Sequence, residues 1–125
     1  VTCPTGQDTT VATFASTADD STGDVGSLAG SLDVEDVKYI RVTNLDSTNH
    51  VHLSLQIDAG EDDTAADESA SIRIDAGRSF VMGVPSDGIS VSDANATIDV
   101  ALHNLESLLI DPVSNNVTVE VFIAS

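Results

Sequence analysis

Tryptophan is missing from this chain of 125 residues, aromatic residues of all kinds make up 3%, and cysteine occurs once. The lone Cys3 excludes an internal disulfide, so stability has to come from packing, and its place beside Pro4 near the terminus makes it a poor candidate for a buried nucleophile. Scarce aromatics leave little for a sugar-stacking platform or a nucleobase pocket. Positive charge is scarcer still: Lys38, Arg41, Arg73 and Arg78 stand against 21 acidic residues, for a net charge of -17. Such a chain has almost nothing with which to grip a phosphate backbone and is repelled by anionic lipid, which argues against nucleic-acid and membrane partners. No apolar run approaches the roughly 18 residues of a membrane-spanning helix. No secretory signal is present, although a chain beginning at Val1 is compatible with an already processed form.

What the chain does have is enough apolar material for one packed domain. An apolar content of 41% and a mean hydropathy of +0.09 are too high for a disordered polyanion, so the charge reads as an acidic skin on a folded body. High ionic strength screens the self-repulsion of such a skin, which points to a saline or marine setting.

The clearest pattern lies in Val37 to Ile57. Val51, Leu53, Leu55 and Ile57 alternate with His52, Ser54 and Gln56, the period of a strand with one buried face. Upstream, Ile40 and Val42 share one face while Val37 and Tyr39 fall on the other beside Arg41, as expected of a strand covered on both sides or lying at an interface. Asn44, Asp46, Ser47, Thr48 and Asn49 between the two runs are turn formers, so the stretch is expected to be a β-hairpin.

Before this centre, residues 1–32 are rich in Thr, Ser, Gly, Ala and Asp, and they read as a mostly irregular N-terminal arm that reaches a partner or as a peripheral segment laid over the domain, with one strand near Thr10 to Ala15. The sandwich domain is expected to span 33–125. After the centre, Asp58 to Ser69 holds six acidic residues in twelve; it fits no EF-hand register and reads as a solvated loop, with a loose divalent-cation site as the alternative. Strands are expected at Ala70 to Asp75, Ser79 to Val84, Ile89 to Ser92, Thr97 to Leu102 and Asn116 to Ala124, with a turn at Asp75-Ala76-Gly77. Asn104 to Asp111 is ambiguous, because Leu105, Leu108 and Leu109 are spaced as in a helix, and a short helix and a buried strand are both defensible.

About seven or eight short strands with turns between them define an all-β class, an antiparallel β-sandwich or jelly roll. The shared phase assigns Ile40, Val42, Val51, Leu53, Leu55, Ile72, Ile74, Phe80, Met82, Ile98, Val100, Val119, Val121 and Ile123 to the core.

Chemistry is harder to find. His50, His52 and His103 lack the cysteine or carboxylate spacing of a metal site, and 21 acidic residues make accidental carboxylate pairs inevitable. No nucleophile elbow, phosphate loop or H-E-x-x-H motif occurs, so the expectation is a protein that is not an enzyme, with no catalytic residues, metal or cofactor. Asn95-Ala96-Thr97 and Asn116-Val117-Thr118 match the glycosylation tripeptide, a pattern that arises often by chance. The candidates for partner binding are Val11 and Phe14, as anchors of the arm, and the four basic residues Lys38, Arg41, Arg73 and Arg78, which either pair with local carboxylates or dock to a partner's.

Tyr39 to Leu55, YIRVTNLDSTNHVHLSL, and Asp75 to Met82, DAGRSFVM, resemble small virion structural proteins of marine tailed bacteriophages in their sequence of strand, polar turn and strand. The resemblance covers the C-terminal two-thirds. It implies a β-sandwich that decorates, or cements, the outer surface of a phage head, binding the major capsid protein or another virion protein and forming a homo-oligomer on the particle. It supplies no catalytic residues. The competing class is a secreted or cell-surface binding module: an adhesin domain, or a tail or fibre subunit.

Overall fold

A computed structural model describes residues 1–15, 32–58, 68–92 and 97–125. In chain order the strands are β1 (Thr2–Cys3), β2 (Thr9–Ala15), β3 (Leu32–Asp33), β4 (Tyr39–Asn44), β5 (Val51–Asp58), β6 (Glu68–Ile74), β7 (Ser79–Met82), β8 (Asn104–Pro112) and β9 (Val117–Ala124). They form two sheets, of order β1-β9-β4-β7 and β3-β2-β8-β5-β6. Every pairing is antiparallel except the short one between β2 and β3. With β3 set aside as a two-residue addition, each strand is followed by one in the other sheet, save that β6 pairs directly with β5. Eight strands wound in this way make a jelly roll, in which apolar faces of two sheets close on one core.

The expected hairpin is therefore corrected. β4 and β5 do not pair; they lie in opposite sheets, and the polar turn carries the chain across the sandwich. The same holds for β6 and β7. Alternation fixes which face of each strand is buried, but two strands that bury facing sides satisfy it as well as two paired neighbours do. Asn44 holds both crossings together. Fully buried, it donates from Nδ2 to the carbonyls of Asn49 (2.8 Å) and Ile74 (3.1 Å), and its Oδ1 accepts from the Asp46 amide (2.9 Å). Its main chain pairs with Arg78 and Gly77. Gly77, with φ at +73°, takes the left-handed position of the turn closed by the Arg78 amide on the Asp75 carbonyl.

Ile40, Val42, Val51, Leu53, Leu55, Ile74 and Val119 are buried as expected, and Ile72, Phe80, Met82, Val121 and Ile123 pack against them half-buried. Two further groups join them. Leu105, Leu108 and Ile110 come from β8, the central strand of its sheet, which settles the ambiguity of that stretch in favour of a strand. Leu105 pairs with Ile57 and Ser107 with Gln56, leaving Glu106 as an extra residue in a β-bulge. That bulge resets the phase, so residues three apart, Leu105 and Leu108, point to the same side and imitate a helical spacing, whereas Leu109, the third residue of that spacing, lies on the outer face.

The second group comes from the N-terminal stretch. β1 pairs with β9 in one sheet and β2 with β8 in the other, and Cys3, Phe14 and Ala15 are in the core. Residues 1–15 are thus part of the sandwich rather than an arm outside it, which moves the expected boundary at 32; residues 16–31 lie outside the description. Small side chains had disguised a core strand whose neighbours supply the bulk. Cys3 is buried after all, and burial pushes its thiol pKa up, away from the reactive thiolate.

Candidate interaction surface

Ile98 and Val100 overturn their core assignment: they are 89% and 100% exposed. Residues 97–102 form no strand among the described residues and belong to an excursion between β7 and β8. Its base is built. Ile89 and His103 form an antiparallel bridge, the Leu105 amide donates to the Pro85 carbonyl (2.8 Å), and the Asp87 amide donates to Asn104 Oδ1 (2.8 Å). Gly88 approaches Val84 so closely that a Cβ there would lie 1.8 Å from the Val84 carbonyl oxygen, so this closure requires glycine.

Within the excursion residues 97–102 are all exposed. Asp99 accepts hydroxyl bonds from Ser90 and Ser92, which lower its pKa, Ser90 first, and tie the two limbs of the excursion together. Ile98 and Val100 flank this tie and face solvent. Val84, Val91 and Leu102 are exposed on the same excursion. Exposed apolar groups of this kind are what protein contact surfaces are built from.

The outer face of the four-stranded sheet is a second surface. Across β7, β4 and β9 the register aligns Val81, Arg41 and Phe122 in one row. The Arg41 guanidinium lies 5.3 Å from the Phe122 ring centroid and bonds Glu120 at 3.1 Å, while Tyr39 meets Phe122 edge-on at 6.1 Å. Val81 and Phe122 remain about half exposed.

The outer face of the five-stranded sheet differs in character. A shallow depression of 220 Å³ is lined there by Asp8, His52, Ser54, Gln56, Ser71, Leu109 and Asp111. His50 and His52 are 5.4 Å apart by ring centroid, but His103 precedes the Asp58–Asn104 pair at the opposite end of β5, so the three histidines do not converge. No group of three or more metal-ligating side chains occurs among the described residues.

The six candidate partner-binding residues do not form one site. Phe14 is buried and Val11 half-buried against the core, Val11 as the extra residue of a second bulge, so neither stands out from the domain as an anchor. Arg73 pairs locally with Asp75, and Arg78 ends the turn before β7. Lys38 is exposed at the head of β4, and its amide donates to the Ala124 carbonyl. Arg41 alone sits in a cluster with apolar and aromatic neighbours. Phe122 and Val81 escaped the sequence reading, although an aromatic on the polar side of an alternating strand was the available signal. The acidic stretch 59–67 and Asn95 lie outside the described residues.

No protein family, curated protein or solved structure matches this chain.

Proposed function

We propose that the protein is a non-enzymatic virion structural protein, a decoration protein bound to the outer surface of a phage head through the major capsid protein. The observation that carries this reading is the excursion between β7 and β8, where Ser90 and Ser92 hold Asp99 by hydrogen bonds and the flanking Ile98 and Val100 stand exposed. A hydrogen-bonded scaffold that presents apolar groups to water has a physical rationale when a partner covers them. Capsid proteins are one class that uses the jelly roll, although the fold alone does not select a function. The resemblance of Tyr39 to Leu55 and Asp75 to Met82 to marine phage virion proteins supplies the particle. Both stretches fall on the sheet-crossing corners built around Asn44. The acidic skin suits an exterior bathed in salt water.

Two measurements test this. Mass spectrometry of purified virus should find the chain in copy numbers comparable to the major capsid protein; a few copies per particle would place it in a tail or fibre, and absence would end the virion reading. The double substitution Ile98→Asp with Val100→Asp should abolish binding to undecorated heads without lowering the melting temperature, and normal binding would remove the excursion from the interface. The alternative of a secreted or cell-surface binding module draws on the polar depression around His52 and Asp111 instead, and would leave binding to heads unmeasurable in both proteins.

A further inference from the structure

The four strands of the β1-β9-β4-β7 sheet contain two charged residues, Arg41 and Glu120, of opposite sign. In a chain of net charge -17 this sheet is neutral. Its outward row combines Val81, Arg41 and Phe122, with Tyr39 and Glu120 alongside, and aromatic residues and arginine are the types enriched in interface cores. The Tyr39 and Phe122 rings brace each other and Arg41 lies over Phe122, which limits the side-chain entropy lost on contact.

We infer that this face is a two-fold self-association surface, on which Arg41 of one copy meets Glu120 of the other and Phe122 and Val81 pack across the axis. A two-fold contact requires one surface to complement itself, each residue i meeting j while j meets i. A neutral face bearing one Arg and one Glu satisfies that condition. Two copies approaching through the five-stranded sheet would instead set acidic strands against each other. At physiological ionic strength the screening length is about 8 Å, so the distant acidic groups are muted while charges in contact are still felt. Strands of two, eight, six and four residues, rising about 3.3 Å per residue and lying about 4.8 Å apart, give a face on the order of 300 Å² per copy. That is less than half of what a standard stable interface buries on each partner. Self-association in solution is therefore weak and concentration-dependent, and crowding of copies on one surface strengthens it through effective concentration.

The inference does not depend on the docking reading, because it is tested on the isolated protein. Sedimentation equilibrium of the wild type at physiological ionic strength should show a monomer–dimer equilibrium, weakened about tenfold by Phe122→Ala. Arg41→Glu and Glu120→Arg should each be monomeric over the same range, since every cross-axis pair becomes like-charged. An equimolar mixture of the two variants should restore dimers, which would be heterodimers. Within each variant the local Arg41–Glu120 pair stays broken, so only a reciprocal contact between copies gives this rescue. A wild type that remains monomeric at every concentration, or a mixture that fails to associate, would overturn the inference.

Discussion

The two sheets share one core and differ in what they turn outward. Inward, both present branched aliphatic groups of the same kind: Ile40, Val42 and Val119 from the four-stranded sheet meet Leu53, Leu55, Leu108 and Ile110 from the five-stranded one. Outward and at their ends they diverge. The strands of the four-stranded sheet balance Arg41 against Glu120, whereas those of the five-stranded sheet bring Asp33, Glu68 and Asp111 to the surface against Arg73 alone, with Asp58 and Glu106 buried. The burial of apolar area that makes the fold is thus spread over both sheets, while the charge that keeps copies apart is concentrated on one. A surface of strong single-sign charge resists association, and a neutral patch on it becomes the place where contact costs least.

The largest expected effect comes from removing residues 1–30, which takes β1 from one sheet, β2 from the other, and Cys3, Phe14 and Ala15 from the shared core. The truncated chain should show no cooperative unfolding transition by circular dichroism, and a cooperatively folded product would mean that the core stands without this stretch. Next in size, Leu53→Ala should destabilise by about 2 to 5 kcal/mol in denaturant unfolding, through lost burial and the cavity left behind. Ile98→Ala should stay within about 0.5 kcal/mol of wild type. Equal losses at the two positions would erase the distinction between inward and outward apolar groups.

Asn44→Ala tests the link between the sheets. It strands the Asn49 and Ile74 carbonyls and the Asp46 amide, so a loss of about 2 to 3 kcal/mol is expected; a change near zero would show that the crossings hold without it. The smallest effect concerns Asp46, whose pKa is lowered by the amides of Thr48 and then Asn49. A carboxyl depressed in the folded state contributes stability that is present above its unfolded pKa and disappears as pH falls through the folded value. Asp46→Ala should therefore lower the melting temperature modestly at neutrality and leave it nearly unchanged at the acid end, which flattens the acid limb, and an unaltered acid limb would count against the turn's contribution.

Much of the architecture was legible in residues. Period-two alternation at Val51 to Ile57 and Val117 to Ile123 identified strands and their buried faces, because a pleated strand leaves no other way to segregate apolar from polar side chains. The surface was less legible. Of the six residues proposed for partner binding, Arg41 reached a cluster of exposed contacts, and Ile98 and Val100 were misplaced because their segment alternates without joining a sheet, which leaves residues 97–102 exposed on every side.

Sequence by itself determined the all-β class, the acidic skin and the inward phase of the central strands, since these follow from composition and from a local period. Tertiary structure alone decided that β4 and β5 lie in opposite sheets, that Phe14 is a core residue, and that Leu105 and Leu108 share a face across a bulge. Alternation is a property of one strand, whereas pairing partner, sheet and register depend on distant segments competing for the same backbone hydrogen bonds. No local pattern records the outcome of that competition.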